Sequence, residues 1–156
     1  THWHVRFALD LEKMQRAANI LVGEHDFTSF ATRLLETQLQ RAEDGKRPLS
    51  TIREIRRIDV HPDPEFPGRV VMRIEGSGFL YQMVRTIAGS LVDVGRGYRS
   101  VEWMAEALAA KDRRQAGPTA PALMPEFDVP ALLLLKNDSV MVTPGALPFP
   151  HWGFPY

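Results

Sequence analysis

Arg85 is the residue best placed for chemistry in this sequence. It closes the run Phe79-Leu80-Tyr81-Gln82-Met83-Val84-Arg85, and Gly89 follows four residues on. On a helix, residues four apart are neighbours on one face. A glycine there leaves the guanidinium approachable, and its fork of N–H donors matches a carboxylate or a phosphate. The other reading is an ordinary solvent-facing helix arginine, and spacing alone favours it. His25-Asp26 is a second candidate, a general base beside an acid that orients it. Adjacent side chains diverge on a helix, so the pair makes a poor dyad. The simpler reading is a helix start, with Asp26 as its cap and Phe27 and Phe30 packed beneath. His2 and His4 alternate around Trp3 and would share a strand face. Two histidines without a third ligand make a weak metal site, and a half-exposed strand explains them as well.

The remaining cations come in groups. Arg53, Arg56 and Arg57 crowd one stretch, Arg96 and Arg99 follow the Arg85 segment, and Lys111, Arg113 and Arg114 end the next. A phosphate-binding surface requires them to converge. Glu54 and Asp59 stand among them, which favours solvated faces instead. The 19 Lys and Arg balance 19 Asp and Glu, so any electrostatic footprint is local. The absence of cysteine excludes disulfides, thiolate metal sites and cysteine nucleophiles, and suits a reducing cytoplasm. No apolar run approaches bilayer length; Leu132–Leu135 is far too short. Gly76-Ser77-Gly78 lacks the third glycine and the Lys-Ser/Thr pair of a nucleotide loop. The opening Thr1-His2-Trp3-His4 reads as a cut inside a longer protein, not a signal peptide.

The elements that must position these residues form an α+β pattern, an antiparallel sheet backed by helices. With 156 residues the chain suits one domain with a real core. Asp10 is a plausible cap for a first helix, in which Leu11, Met14, Ala18, Leu21 and Val22 recur at helical spacing before Gly23. A second helical stretch is expected to begin at Glu24 and run to about Gln40, with a loop over 41–50. Two strands follow, about 52–60 and 69–76, joined by a loop rich in proline. The next helix carries the apolar stripe Phe79, Leu80, Met83, Val84, Ile87, Ala88 and Leu91, with Tyr81, Gln82, Arg85 and Gly89 opposite. Ser100 caps a last helix to about Lys111, whose cations suit its C-terminal dipole. Leu132–Leu135 reads as a strand between Pro130 and the polar Lys136-Asn137-Asp138. The domain is expected to span 1–138. Residues 139–156 read as a tail rich in proline and aromatic residues, with no regular structure from 143 on.

Four segments together resemble the TruA-type tRNA pseudouridine synthase family, in the family's order. They are Leu9-Asp10 through Met14 with Ala17-Ala18; Gly23-Glu24-His25-Asp26-Phe27-Thr28-Ser29-Phe30; Gly78 through Arg85 with Gly89; and Ala116-Gly117-Pro118-Thr119-Ala120-Pro121. The match covers Trp3 to Pro121. The second and third segments are long and specific.

The resemblance implies half of a pseudouridine synthase fold. It implies an enzyme that isomerises uridine to pseudouridine in the anticodon arm of tRNA, with no cofactor and no metal. The target base is flipped out of its stack. The essential group in the family is an aspartate in an Arg-Thr-Asp-x-Gly-Val context, in the half upstream of this segment. None of the nine aspartates here has those neighbours. The family's active-site tyrosine also lies upstream. Arg85 matches the arginine that pairs with that aspartate, and Phe79 and Leu80 match the pocket wall. Arg53, Arg57, Arg96, Arg99, Arg113 and Arg114 are candidate RNA contacts. The expected partners are tRNA, the missing N-terminal half and a second copy of the protein, in the cytoplasm. By this reading the chain is inactive alone. The alternative is a module that grips structured RNA without chemistry. One departure stands out: the family runs quickly from the Thr-Ala-Pro segment into a Gly-Leu-aliphatic strand, and here residues 122–130 intervene, either as an insertion before Leu132–Leu135 or as part of a diverged or misread end.

Overall fold

The computed structural model describes Val5, residues 7–65, 67–68 and 70–121, and the strands 132–135 and 139–142. Helix α1, Leu11–Leu21, starts where the Asp10 carboxylate accepts the Lys13 backbone N–H at 3.0 Å. This satisfies one of the orphan donors of a helix N-terminus. Met14, Ala17, Ala18 and Leu21 are its buried stripe.

The chain then departs from the sequence expectation. Gly23, at φ +107°, turns it into strand β1, Gly23–Asp26. β1 lies antiparallel to β2, Ile52–Pro62, from Gly23 opposite Ile55 to Asp26 opposite Ile52. The expected helix start at Glu24 is therefore a strand. Its four residues carry no apolar alternation, because the pairing comes from the edge of β2, almost thirty residues away. A 3-10 turn, Thr28–Phe30, follows and buries Ser29 and Phe30. Helix α2 begins only at Leu34 and runs to Glu43, into the expected loop, and none of its residues is buried.

β2 and β3, Val70–Gly76, form the expected hairpin. The register shifts between Ile55 and Arg57, leaving Arg56 as an extra residue. This bulge lets Ile55 and Ile58, three apart, both enter the core. The Arg56 guanidinium donates to the Gly76 carbonyl at 2.9 Å beside it. Helix α3 spans Met83–Gly95, and helix α4, Val101–Ala110, is capped by Ser100 as expected, Trp103 N–H to Oγ 3.1 Å. A second 3-10 turn, Arg113–Gln115, holds the two arginines that were expected at the end of α4.

Leu132–Leu135 forms strand β4, in the sheet as expected. Ser139–Val142, expected to belong to the tail, forms instead strand β5, seated between β3 and β4. Val140 and Val142 are β-branched, which suits a strand. The sheet order is β1-β2-β3-β5-β4, every pair antiparallel. Residues 122–130, 136–138 and 143–156 lie outside the described residues, as do His2, Trp3 and His4. The fold is α+β, an antiparallel sheet backed by helices. α1 packs against β2, α3 and α4, over a core that includes Phe27, Phe30, Ile74, Ile87, Leu91 and Met104.

Candidate active site

Helix α3 sets the site. The sequence assigns it one apolar stripe and one polar face, but twelve of its thirteen residues are buried. Thr86, Gly89 and Ser90 lie against a second layer, the segment Gly117–Pro118–Thr119–Ala120, which crosses the helix. A methyl on Gly89 would overlap the Pro118 carbonyl oxygen, and one on Gly117 would sit 2.7 Å from the Ser90 Cα. Two glycines thus allow main chain to lie directly on helix. Ser90 Oγ donates to the Thr86 carbonyl at 2.8 Å and accepts from the Gly117 N–H at 2.9 Å. Gly89 therefore admits a strap of main chain; it does not hold open a path to Arg85.

Arg85 is the one residue of α3 that is not buried. It is held by the same strap through a reciprocal pair. Its Nε donates to the Ala120 carbonyl at 2.8 Å, and the Ala120 N–H donates to the Arg85 carbonyl at 2.9 Å. Among the described residues it forms no ion pair. A fixed Nε leaves the terminal nitrogens to present a fork in one orientation. The chain just before α3 is also constrained. Gln82 has left-handed backbone, φ +57°, and Arg33, at φ +55°, precedes α2 in the same conformation. Both are costly for non-glycine residues. Thr32 ties them, donating Oγ1 to Gln82 Oε1 at 2.9 Å and its N–H to the Tyr81 carbonyl at 3.2 Å. The Arg33 guanidinium lies over the exposed Tyr81 ring. Phe79 and Leu80, expected on the helix, precede it. Leu80 is in the core, and Phe79 is half-buried against Gly76.

The other candidate arginines divide by partner. Arg57 pairs with Asp59 at 2.6 Å, Arg96 with buried Asp93 at 2.8 Å, and Arg114 with Asp112 through two nitrogens. Arg53 binds the Ser50 and Ile52 carbonyls at 2.8 and 2.6 Å. Arg99 and Arg96 both lie over the Tyr98 ring, and Arg99 also over Trp103. Only Arg113, of these six, is brought to the strap that holds Arg85: it donates to the Gly117 carbonyl and to Thr119 Oγ1, each at 2.9 Å. Nothing in the sequence directly marks Ala120 as the partner of Arg85, or Thr119 as the partner of Arg113. The available signal was Thr86, Gly89 and Ser90, three small residues on an otherwise apolar helix.

His25 and Asp26 form no dyad. His25 Nε2 lies 3.0 Å from the Val22 carbonyl, while Asp26 Oδ1 accepts from Thr28 N–H and Oγ1 at 3.1 and 2.6 Å. Burial pushes the Asp26 carboxyl up, but hydrogen bonds from Thr28 and Thr51 and the charge of Lys111 together hold it below its ordinary value. A depressed folded value means stability present at neutral pH and lost as the pH falls through that value. Asp26→Asn is therefore expected to cost about 1–2 kcal/mol at pH 7. That difference should shrink toward zero as both proteins are titrated below the carboxylate range. Urea unfolding at pH 7 and pH 3 checks this, and a pH-independent difference would contradict it.

Among the described residues no group of three or more His, Asp and Glu is placed to hold a metal, and no helix is long and apolar enough to cross a membrane. A family model described as tRNA pseudouridine synthase matches residues 17–129. Proteins named tRNA pseudouridine synthase A are similar over most of the chain. The one from Myxococcus xanthus is 43% identical over 121 residues, 78% of this chain and 41% of that protein. The one from Brevibacillus brevis is 44% identical over 119 residues, 76% and 43%. The one from Ralstonia nicotianae is 46% identical over 112 residues, 72% and 36%. The chain spans about two fifths of the length of these relatives.

Proposed function

From the premise that this chain belongs to the tRNA pseudouridine synthase family, we propose that it supplies one wall of a site that isomerises uridine to pseudouridine in the anticodon arm of tRNA. Its contribution is Arg85, the ion-pair partner of a catalytic aspartate carried elsewhere in the full-length protein. The observation that carries this reading is a contrast within α3: twelve of its thirteen residues are buried, and the one that is not is an arginine with no acid partner among the described residues. A cation placed so finds its counter-charge from outside the described residues. An arginine beside a carboxylate favours its ionised form and fixes its orientation. Phe79, half-buried beside Gly76 just ahead of α3, would border the flipped base, with Leu80 supporting it from the core. The reading includes tRNA as substrate, a homodimer and a cytoplasmic location. Leu35 and Leu39 of α2, exposed one turn apart, are apolar surface of the kind an assembly covers.

The test compares two preparations on the same unmodified tRNA. The 156-residue chain should form no pseudouridine, because an arginine cannot replace the missing acid. The full-length protein should form it at specific uridines. Pseudouridine made by the chain alone would locate the acid among its own aspartates. Tight tRNA binding by the full-length protein with no conversion would replace the enzyme with a non-catalytic RNA-binding module.

A further inference from the structure

We infer that Arg113 is a positioning residue for Arg85, acting through the strap Gly117–Ala120. The inference rests on the role proposed for Arg85. Arg113 sits in the 3-10 turn after α4, and this turn is itself anchored: the Asp112 N–H donates to buried Ser29 Oγ at 3.0 Å. Its neighbour Arg114 takes the Asp112 carboxylate. Arg113 is left half-buried with two neutral acceptors, the Gly117 carbonyl and Thr119 Oγ1. Burial, with no anion beside it among the described residues, pushes its guanidinium down from the ordinary arginine range. Such a cation is an unfavourable way to fill space.

What it does is join two acceptors of the strap, the Gly117 carbonyl and Thr119 Oγ1. Residues 117–120 belong to no helix or strand, so their carbonyls need individual partners. Arg113 binds the strap at Gly117 and Thr119. Ser90 binds it at the Gly117 N–H, and Thr86 Oγ1 lies 3.3 Å from Thr119 Oγ1. The strap ends at Ala120, whose carbonyl accepts Arg85 Nε. Arg113 is thus linked to the Arg85 side chain by four residues of main chain, with Thr119 directly adjacent to Ala120. Releasing the strap frees Ala120, and with it the one contact that sets the Arg85 side chain. A long, flexible side chain then samples several rotamers, and a bidentate fork that is misplaced by an ångström loses about 100-fold in rate.

Both terminal nitrogens of Arg113 donate to the strap, so its fork is turned to the strap and away from a two-pronged phosphate contact. The two roles separate in kinetics. In the full-length enzyme, Arg113→Gln and Thr119→Val are each expected to lower kcat by about 10–100-fold. KM for tRNA and the salt dependence of binding should stay within about twofold. Arg113→Lys should not rescue, since one ammonium on a flexible stem does not reproduce a planar fork across two acceptors. In an Arg85→Ala background, Arg113→Gln should change kcat by less than about twofold, because nothing is left to position. A raised KM with a flatter salt slope would make Arg113 an RNA contact. A further large fall in the Arg85→Ala background would make it a general structural residue. Either result overturns the inference.

A readout independent of activity uses the 156-residue chain. The Arg85 Nε–H proton should exchange slowly with solvent in the parent chain and at least about tenfold faster in Thr119→Val, the milder variant. Unchanged exchange in a folded Thr119→Val would also overturn the inference. If the full-length protein proves inactive, this measurement still decides whether the strap holds Arg85, and only the catalytic role falls.

Discussion

Gly89→Ala is expected to destabilise the fold by about 3 kcal/mol or more, although helix propensity alone favours the change by about 1 kcal/mol. The sign is set by what the methyl would meet. It would overlap the Pro118 carbonyl oxygen and lie 2.8 Å from the Pro118 carbonyl carbon, both main-chain atoms. A flexible side chain gives way at small cost, but a strap tied at the Gly117 N–H, the Thr119 hydroxyl and Ala120 does not. Gly89 is itself buried inside α3, so the helix has no room to shift outward either. For a domain of this size the loss corresponds to a fall in Tm of about 6–12 °C. If the strap lifts off in place of straining, the fall is smaller, but the Arg85 Nε–H and Gly117 N–H lose their protection from exchange. Thermal unfolding and hydrogen exchange together test this. A Tm that is unchanged or raised, with both protons still protected, would show that main chain does not cross α3 at Gly89.

That crossing also explains where the sequence was legible and where it was not. Helices α1 and α4 were readable because their signals are local: a side-chain cap at Asp10 and at Ser100, each hydrogen-bonded three residues on, then a periodic stripe. The β2–β3 hairpin was readable from alternation and a proline-rich turn. β1 was not, since Gly23 to Asp26 are polar and their strand state is imposed by the edge of β2. The bulge at Arg56 hid as well, because it breaks the period by which strands are recognised. On α3 the stripe from Met83 to Leu91 is apolar and buried as expected, but Phe79 and Leu80 precede the helix, and Gly89, expected on the open face, is covered. The strap that lies on Thr86, Gly89 and Ser90 comes about thirty residues later in the chain. The same long-range contact settles the environment of Arg85. Spacing could mark it as an approachable arginine, but not supply the Ala120 carbonyl that orients it or Arg113 behind that.

Replacing Arg85 should produce the largest loss of activity of any substitution in this chain. Arg85→Ala in the full-length protein removes the counter-charge of the proposed catalytic carboxylate and leaves it in a partly desolvated site. Breaking such a pair costs about 3–5 kcal/mol, which corresponds to a rate loss of roughly 10²–10³ or more. Arg85→Lys keeps the charge but loses both the Nε bond to Ala120 and the two-pronged fork, so it should recover only a small part. The pH dependence carries the sign. Without the arginine the carboxyl pKa rises, by about 1–3 units for a close pair, so the acidic limb of the pH–rate profile should move up by that amount. Some activity should return as the pH is raised. Stability of the 156-residue chain, which lacks the proposed carboxylate, should change little, because among its described residues Arg85 makes a single side-chain hydrogen bond, to a neutral carbonyl, about 1 kcal/mol. Kinetics of the full-length protein from pH 5 to 9, with Tm measured on it and on the 156-residue chain, separate the two effects. Full activity in Arg85→Ala, or a loss that tracks unfolding with no movement of the acidic limb, would take the arginine out of the chemistry and leave it as a clamp on the strap.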